Sequence, residues 1–185
     1  MHRGKQSIKQ FYATDDEFTH FHYHLKFLPC PHCRRIGFLI LHGFLTGYGQ
    51  VSLVERGRRI YCSNRKNRPG CGRTFSLLKG GCIKNFMVFG KWLAVFLEQL
   101  SRGLNIALAA RKAGLAMSRT SIYRLFHTFR RNQSHIRTFL IQIKGPPPAL
   151  QTNNPVIQTI LHLKSIFTDC IVTQFQHRFQ TPIFP

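Results

Sequence analysis

The chain reads as an α+β protein in which a small cysteine-rich β domain precedes a helical domain and a helical or irregular C-terminal tail. Two cysteine groups, Cys30-Pro31-His32-Cys33 and then Cys62 with Cys71, bracket short apolar segments separated by glycines. Past Gly80-Gly81 the apolar residues recur every three to four positions instead of in short runs, the change expected where strands give way to helices. Pro146-Pro147-Pro148 then makes a stiff spacer. These marks divide the chain into a basic, histidine-rich segment (1–26), a cysteine domain (27–80), a helical domain (83–144) and a Pro-linked tail (145–185).

Met1 to Lys9 is basic, but no apolar stretch follows, so no secretory leader is expected. His20-Phe21-His22-Tyr23-His24 reads as an extended strand, on which His20, His22 and His24 share a face. The segments 37–43 and 50–54, with Gly47-Tyr48-Gly49 between them, predict a hairpin, and Arg58-Arg59-Ile60-Tyr61 leads from it to the second cysteine group. His42, Thr46, Gln50, Ser52 and the glycines interrupt 36–54, which excludes a membrane span there.

Four cysteines can close a tetrahedral zinc shell, and a C-x-x-C turn places two sulfurs on one metal without strain. Cytosolic thiols stay reduced and free to bind metal. Cys30, Cys33, Cys62 and Cys71 are therefore the predicted zinc ligands, with His32 and His42 as substitutes. Eight residues separate Cys62 from Cys71, and Asn67, Pro69 and Gly70 among them predict an enlarged loop. Cys82 and Cys170 have no partner at metal spacing and read as ordinary small apolar residues.

The chain carries 27 Lys+Arg against 6 Asp+Glu, a formal charge of +21, far more than solubility asks of 185 residues. A polyanionic partner follows. Only Lys164 and Arg178 of the basic residues lie beyond Pro146, so the electrostatics belong to the preceding part. At 43% hydrophobic the chain can form a core, which excludes a disordered basic tail.

Phe86, Phe89, Leu93, Phe96, Leu97 and Leu100 predict one amphipathic helix, thickened by Met87 and Trp92 and closed by Ser101-Arg102-Gly103. Asn105 to Ala113 is a short alanine-rich helix, Gly114 breaks it, and Ser118 caps a further helix running towards Arg131. Ala109, Ala110 and Ala113 let the two approach closely, with Leu115, Ile122 and Leu125 between them. That is the logic of a helix-turn-helix. Arg119, Thr120, Ser121, Tyr123 and Arg124 then open the second helix, where side chains reach base edges. Arg130, Arg131 and Arg137 fall further along, facing phosphates, as do Arg56, Arg58, Arg59, Arg65, Arg68 and Arg73 of the cysteine domain. A plain helical hairpin with a solvated basic face is the rival. In the tail, Val156, Ile160, Leu161, Leu163, Ile166 and Phe167 predict one helix, and the tail either docks back on the first helix of the helical domain or pairs with a second copy as a homodimer.

The ends Cys30-Pro31-His32-Cys33 and Cys71-Gly72-Arg73-Thr74-Phe75, followed by Ala109-Ala110-Arg111-Lys112-Ala113-Gly114-Leu115 and Ser118-Arg119-Thr120-Ser121-Ile122-Tyr123-Arg124, resemble the N-terminal DNA-binding region of bacterial insertion-sequence transposases. The resemblance spans about Pro29 to Arg131. It implies a zinc ribbon plus helix-turn-helix that recognises the terminal inverted repeats of a mobile element, in the cytoplasm on the nucleoid. The sequence departs from that family in the expanded Cys62–Cys71 spacing and in Ala116-Met117, which lengthen the turn. Retroviral-integrase-type transposition needs three carboxylates gathered on an α/β core. The chain offers Asp15, Asp16, Glu17, Glu55, Glu98 and Asp169, three of them consecutive, and no catalysis is expected. The expected partner is double-stranded DNA, with no membrane and no small-molecule substrate. Two other readings stand beside it: a metal-dependent single-strand nuclease using His20 and His22, and a basic RNA- or ribosome-associated protein.

Overall fold

Thr14 and Glu17 decide where the first helix begins. The Thr14 hydroxyl accepts the Glu17 N–H at 3.1 Å, and Glu17 Oε2 accepts the Ala13 N–H at 2.9 Å, so side chains satisfy two amides at the start of helix α1 (Asp15–His24). Asp15, Asp16 and Glu17 fill its first turn, where they complement the helix dipole, and His22 and His24 lie in its last turn. The strand expected for His20–His24 is therefore a helix, preceded by strand β1 (Phe11–Tyr12) and followed by a 3-10 turn (Leu25–Phe27). His20 and His24 share a face and stack at 4.4 Å between ring centres, whereas His22 lies against Tyr23.

The computed structural model describes residues 8–48, 52–83, 86, 88–148 and 153–185, which form two compact units divided in sequence between Gly80 and Gly81. In the first, β1, β2 (Leu39–Tyr48), β3 (Leu53–Cys62) and β4 (Thr74–Lys79) make one sheet in the order β1-β4-β3-β2. β2–β3 and β3–β4 are antiparallel, and β1 runs parallel to β4. The strands extend further than the hairpin expected from the sequence. Register shifts between Leu41 and Gly43 and between Leu45 and Thr46 let β2 and β3 pair through their glycines. The expected strand start at Gln50-Val51 and the hairpin Gly49 lie outside the described residues. Phe18 and Phe21 of α1 join Tyr12, Leu25, Leu39, Ile60 and Leu77 in the core, so α1 covers one face of the sheet.

The second unit is helical: α2 (Gly90–Ser101), α3 (Ile106–Lys112), α4 (Arg119–Ile141), α5 (Pro155–Ile166) and α6 (Ile171–Phe179). Asn105, Ser118 and Asn154 cap α3, α4 and α5, with Pro155 opening the last. α2 starts at Gly90, later than its apolar pattern suggested: Phe86 and Phe89 pack at its entry, while Met87 lies outside the described residues. Ala109, Ala110, Ala113, Leu115, Ile122 and Leu125 are all buried where α3 meets α4. α4 runs ten residues past Arg131, and its later half belongs to the core through Ile136 and Leu140.

The tail does not stand apart, and it holds two helices instead of one. Val156, Ile160 and Leu163 of α5, Val172 and Phe175 of α6, and Ile183 with Phe184 join the same core as α2 and α4. Burying that many apolar side chains seats the tail on its own unit despite the Pro146-Pro147-Pro148 spacer. Polar anchors fix the seat. Gln176 Nε2 donates to the Cys82 carbonyl at 3.1 Å, Asn132 Nδ2 donates to the Ile183 carbonyl at 3.1 Å, and Arg137 Nε donates to Thr159 Oγ1 at 2.7 Å. Arg137 thereby serves packing and leaves the phosphate-facing set. No single helix among the described residues is long and apolar enough to cross a membrane; α5 and α6 pass such a test only as a pair bent by 76°, and their apolar sides are buried.

Phe175 is fully buried, with rings of Phe139 and Phe179 against it. Phe175→Ala should cost about 3–5 kcal/mol of stability in the helical unit, read from denaturant unfolding, and leave the metal content of the chain unchanged. A loss below about 1 kcal/mol would mean that the tail is peripheral to this core.

Candidate metal centre and basic surface

The sulfurs of Cys30, Cys33, Cys62 and Cys71 all lie within 4.8 Å of one another. Cys30 and Cys71 are 3.8 Å apart and Cys33 and Cys62 are 3.7 Å apart, sulfur to sulfur. A tetrahedron built on Zn–S bonds of about 2.3 Å has edges of about 3.8 Å. The four thiols thus have the spacing of a closed shell around one metal such as zinc, and all are free of disulfides. His32 lies against Phe75 and His42 against Tyr61, and neither belongs to the cluster.

Two backbone turns present the thiols, and they follow one pattern. In the first, the Cys30 N–H donates to the Arg35 carbonyl and the Arg34 N–H to the Cys30 carbonyl, both at 2.9 Å. In the second, the Cys62 N–H donates to the Arg73 carbonyl at 3.0 Å and the Gly72 N–H to the Cys62 carbonyl at 2.9 Å. Each turn closes on a residue in the left-handed region, Arg34 at φ 63° and Gly72 at φ 72°. Each also sends an amide to a sulfur, His32 to Cys30 and Cys71 to Cys62, both at 3.4 Å. Such donors stabilise thiolates.

The expanded spacing has a structural solution. The Gly70 N–H donates to the Ser63 carbonyl at 3.1 Å, which closes 64–69 into a side loop and makes Ser63 and Gly70 neighbours. Without that loop the second group would read Cys62-Ser63-Gly70-Cys71, the same C-x-x-C as the first. Gly70 is required here, because a Cβ on it would sit 2.2 Å from the Ser63 carbonyl oxygen. Tyr61 donates its hydroxyl to Asn64 Oδ1 and Arg35 donates to the Pro69 carbonyl, holding the loop at both ends.

The environment splits the thiols. The Arg35 amide lowers Cys33 to about 7, while burial pushes Cys62 up to about 12 and also raises Cys30. A raised thiol favours the protonated form, so burial of Cys30 and Cys62 opposes a metal-free pocket of thiolates near neutral pH. A divalent cation displaces those protons and removes the conflict. Metal affinity therefore falls as pH falls.

The remaining predicted site residues fall into three groups. Arg59, Arg65, Arg68 and Arg73 are exposed. Arg56 is 6% exposed, and Arg58 pairs with Glu55 at 3.0 Å with its guanidinium 3.7 Å from the Phe44 ring centre, so both are committed to the sheet. On α4, Arg119, Thr120, Arg124, Arg130 and Arg131 are exposed, and the Arg119 guanidinium lies 5.7 Å from the Tyr123 ring centre. Ser121 is used differently: its N–H and hydroxyl both engage Ser118 in the helix cap. Sequence reading missed His127, which joins Arg124, Arg130, Arg131 and Gln133 around an open recess; its spacing three residues after Arg124 on one helix was the available signal. No protein-family model, curated protein or solved structure matches this chain.

Deleting 64–69 should leave a chain that still binds one zinc ion, counted by native mass spectrometry; loss of the metal would show that the side loop is part of the site. Cys30→Ser with Cys33→Ser should abolish binding and unfold the sheet unit, since binding energy in such a site is folding energy. Gly70→Ala should destabilise the zinc-bound form by about 1–3 kcal/mol, and an unchanged melting midpoint would contradict the close approach to Ser63.

Proposed function

We propose that the chain is a zinc-dependent protein that binds double-stranded DNA in a sequence-specific manner, related in design to the DNA-binding region of insertion-sequence transposases and without transposition chemistry of its own. The observation that carries the reading is the α3–α4 pair. Two helices meet through buried alanines, Ser118 starts the second, and the exposed side of that second helix is cationic from Arg119 to Arg131. A helix so presented fits the major groove, with Arg119, Thr120, Tyr123 and Arg124 towards base edges. Arg130 and Arg131, and Arg59, Arg65, Arg68 and Arg73 of the sheet unit, suit phosphates. The charge of +21 supplies the sequence-independent part of the affinity. Zinc in the four-cysteine site would hold the two turns together.

The acidic residues do not favour metal-ion catalysis. Asp15–Glu17 open α1, Glu55 holds Arg58, and Glu98 holds Arg102 and Lys164, which keep its carboxyl below the usual range through the Lys164 bond first. The nuclease reading needed His20 and His22 on one face, which helix α1 does not provide.

Arg119→Ala and Arg124→Ala should each lose about 1–3 kcal/mol of discrimination at one base position, measured by selecting bound duplexes from a random library with the zinc-loaded protein. Arg131→Ala should weaken all duplexes alike and reduce the salt dependence. Uniform weakening by all three variants would remove base reading by α4.

A further inference from the structure

We propose that the open face of the sheet is a second nucleic-acid surface, which takes unpaired bases of a single strand. The inference rests on the reading of the chain as a nucleic-acid-binding protein and adds, beside Arg59 and Arg65 already assigned to phosphates, a stacking surface for a different form of ligand. α1 covers the face that carries Leu39, Ile60 and Leu77. Strand pairing places Ile40 beside Tyr61 and Tyr61 beside Thr74, and Gly43 beside Arg59 and Arg59 beside Ser76, on the opposite face.

The irregularity at His42 has a consequence on that side. Pairing passes from Leu41–Ile60 to Gly43–Arg59 and skips His42, whose ring lies 5.2 Å from that of Tyr61 at 34°. The side loop leaning from the metal site brings the Arg65 guanidinium 5.4 Å from the same Tyr61 ring centre. An exposed histidine, a half-buried tyrosine and two exposed arginines, Arg59 and Arg65, thus gather round small neighbours, Gly43 and Ser76. Tyr61 spends its hydroxyl on Asn64, which fixes the ring's rotation beside His42 and Arg65, so the three side chains present one aromatic and cationic surface.

Charge selects the occupant. The described acids of the sheet unit lie elsewhere: Asp15, Asp16 and Glu17 belong to α1, and Glu55 is bound to Arg58. Arginines interleaved with aromatic rings, without acids, match a phosphate backbone with its bases turned onto the protein. A duplex hides its base faces by stacking, so Tyr61 and His42 gain nothing from it. A single strand offers both phosphates and rings, as DNA or as RNA.

The test uses the full zinc-loaded chain and fluorescence anisotropy with labelled oligothymidine, oligouridine and a duplex of equal length. Tyr61→Ala and His42→Ala should each weaken the tighter-bound single strand about tenfold, the ratio of one stacked base, and change duplex affinity by less than about twofold. Tyr61→Phe should retain single-strand binding because the ring does the stacking. Whichever oligonucleotide is held more tightly identifies DNA or RNA as the source. Equal losses on duplex and single strand, or none on either, overturn the proposal. Zinc counting on each variant separates unfolding from lost contact, and if Tyr61→Ala sheds its metal the exposed His42→Ala decides. Arg119→Ala should affect duplex binding alone, and so reports on the α4 reading independently.

Discussion

Four sulfurs at tetrahedral spacing are the constraint on which the sheet unit depends. They join the segment before β2 to the end of β3 and the approach to β4, three places that strand hydrogen bonds alone would leave loosely related. Buried cysteines with raised pKa values make a poor core by themselves. With a metal they become a covalent-strength link in a unit whose apolar core is small. The shared backbone pattern of the two turns follows from that geometry, since each must aim two sulfurs at one point and shield them with amides.

The same constraint explains where the positive charge sits. The metal turns need few side chains of their own beyond cysteine, so the residues around them are free to be basic. Arg65, Lys66 and Arg68 occupy a loop that the metal site tolerates because Ser63 and Gly70 close beneath it. The second unit solves a different problem. Part of its charge is displayed along α4, whose far half is anchored by α5 and α6, so Arg137 turns inward as Arg124 and Arg131 stay outside.

Local chemistry was legible in the sequence and tertiary compensation was not. The four cysteines were readable because a chelating turn is encoded within a few residues, and the α3–α4 pair because alanine spacing and Ser118 speak locally. The side loop at 64–69 appeared only as an odd spacing; its closure between Ser63 and Gly70 is a contact that spacing cannot express. At His20–His24 the alternation of histidine with aromatic residues suggested a strand, and the cap formed by Thr14 and Glu17 prevailed, although Thr14-Asp15-Asp16-Glu17 was a readable signal. In the tail, glutamines masked the repeat of Ile171, Val172, Phe175 and Phe179 that makes α6, and only burial against α2 and α4 gives it a partner. Arg56 and Arg58 looked like their exposed neighbours because nothing in a basic run tells which side of a strand faces the core.

X-ray absorption at the zinc edge of the purified, reduced chain addresses the central claim most directly, because it reports ligand type, number and distance around the metal itself. The expected result is one zinc per chain with four sulfurs at about 2.3 Å and no nitrogen or oxygen ligand. A shell containing imidazole or water, or a chain that folds with no bound metal, would contradict it.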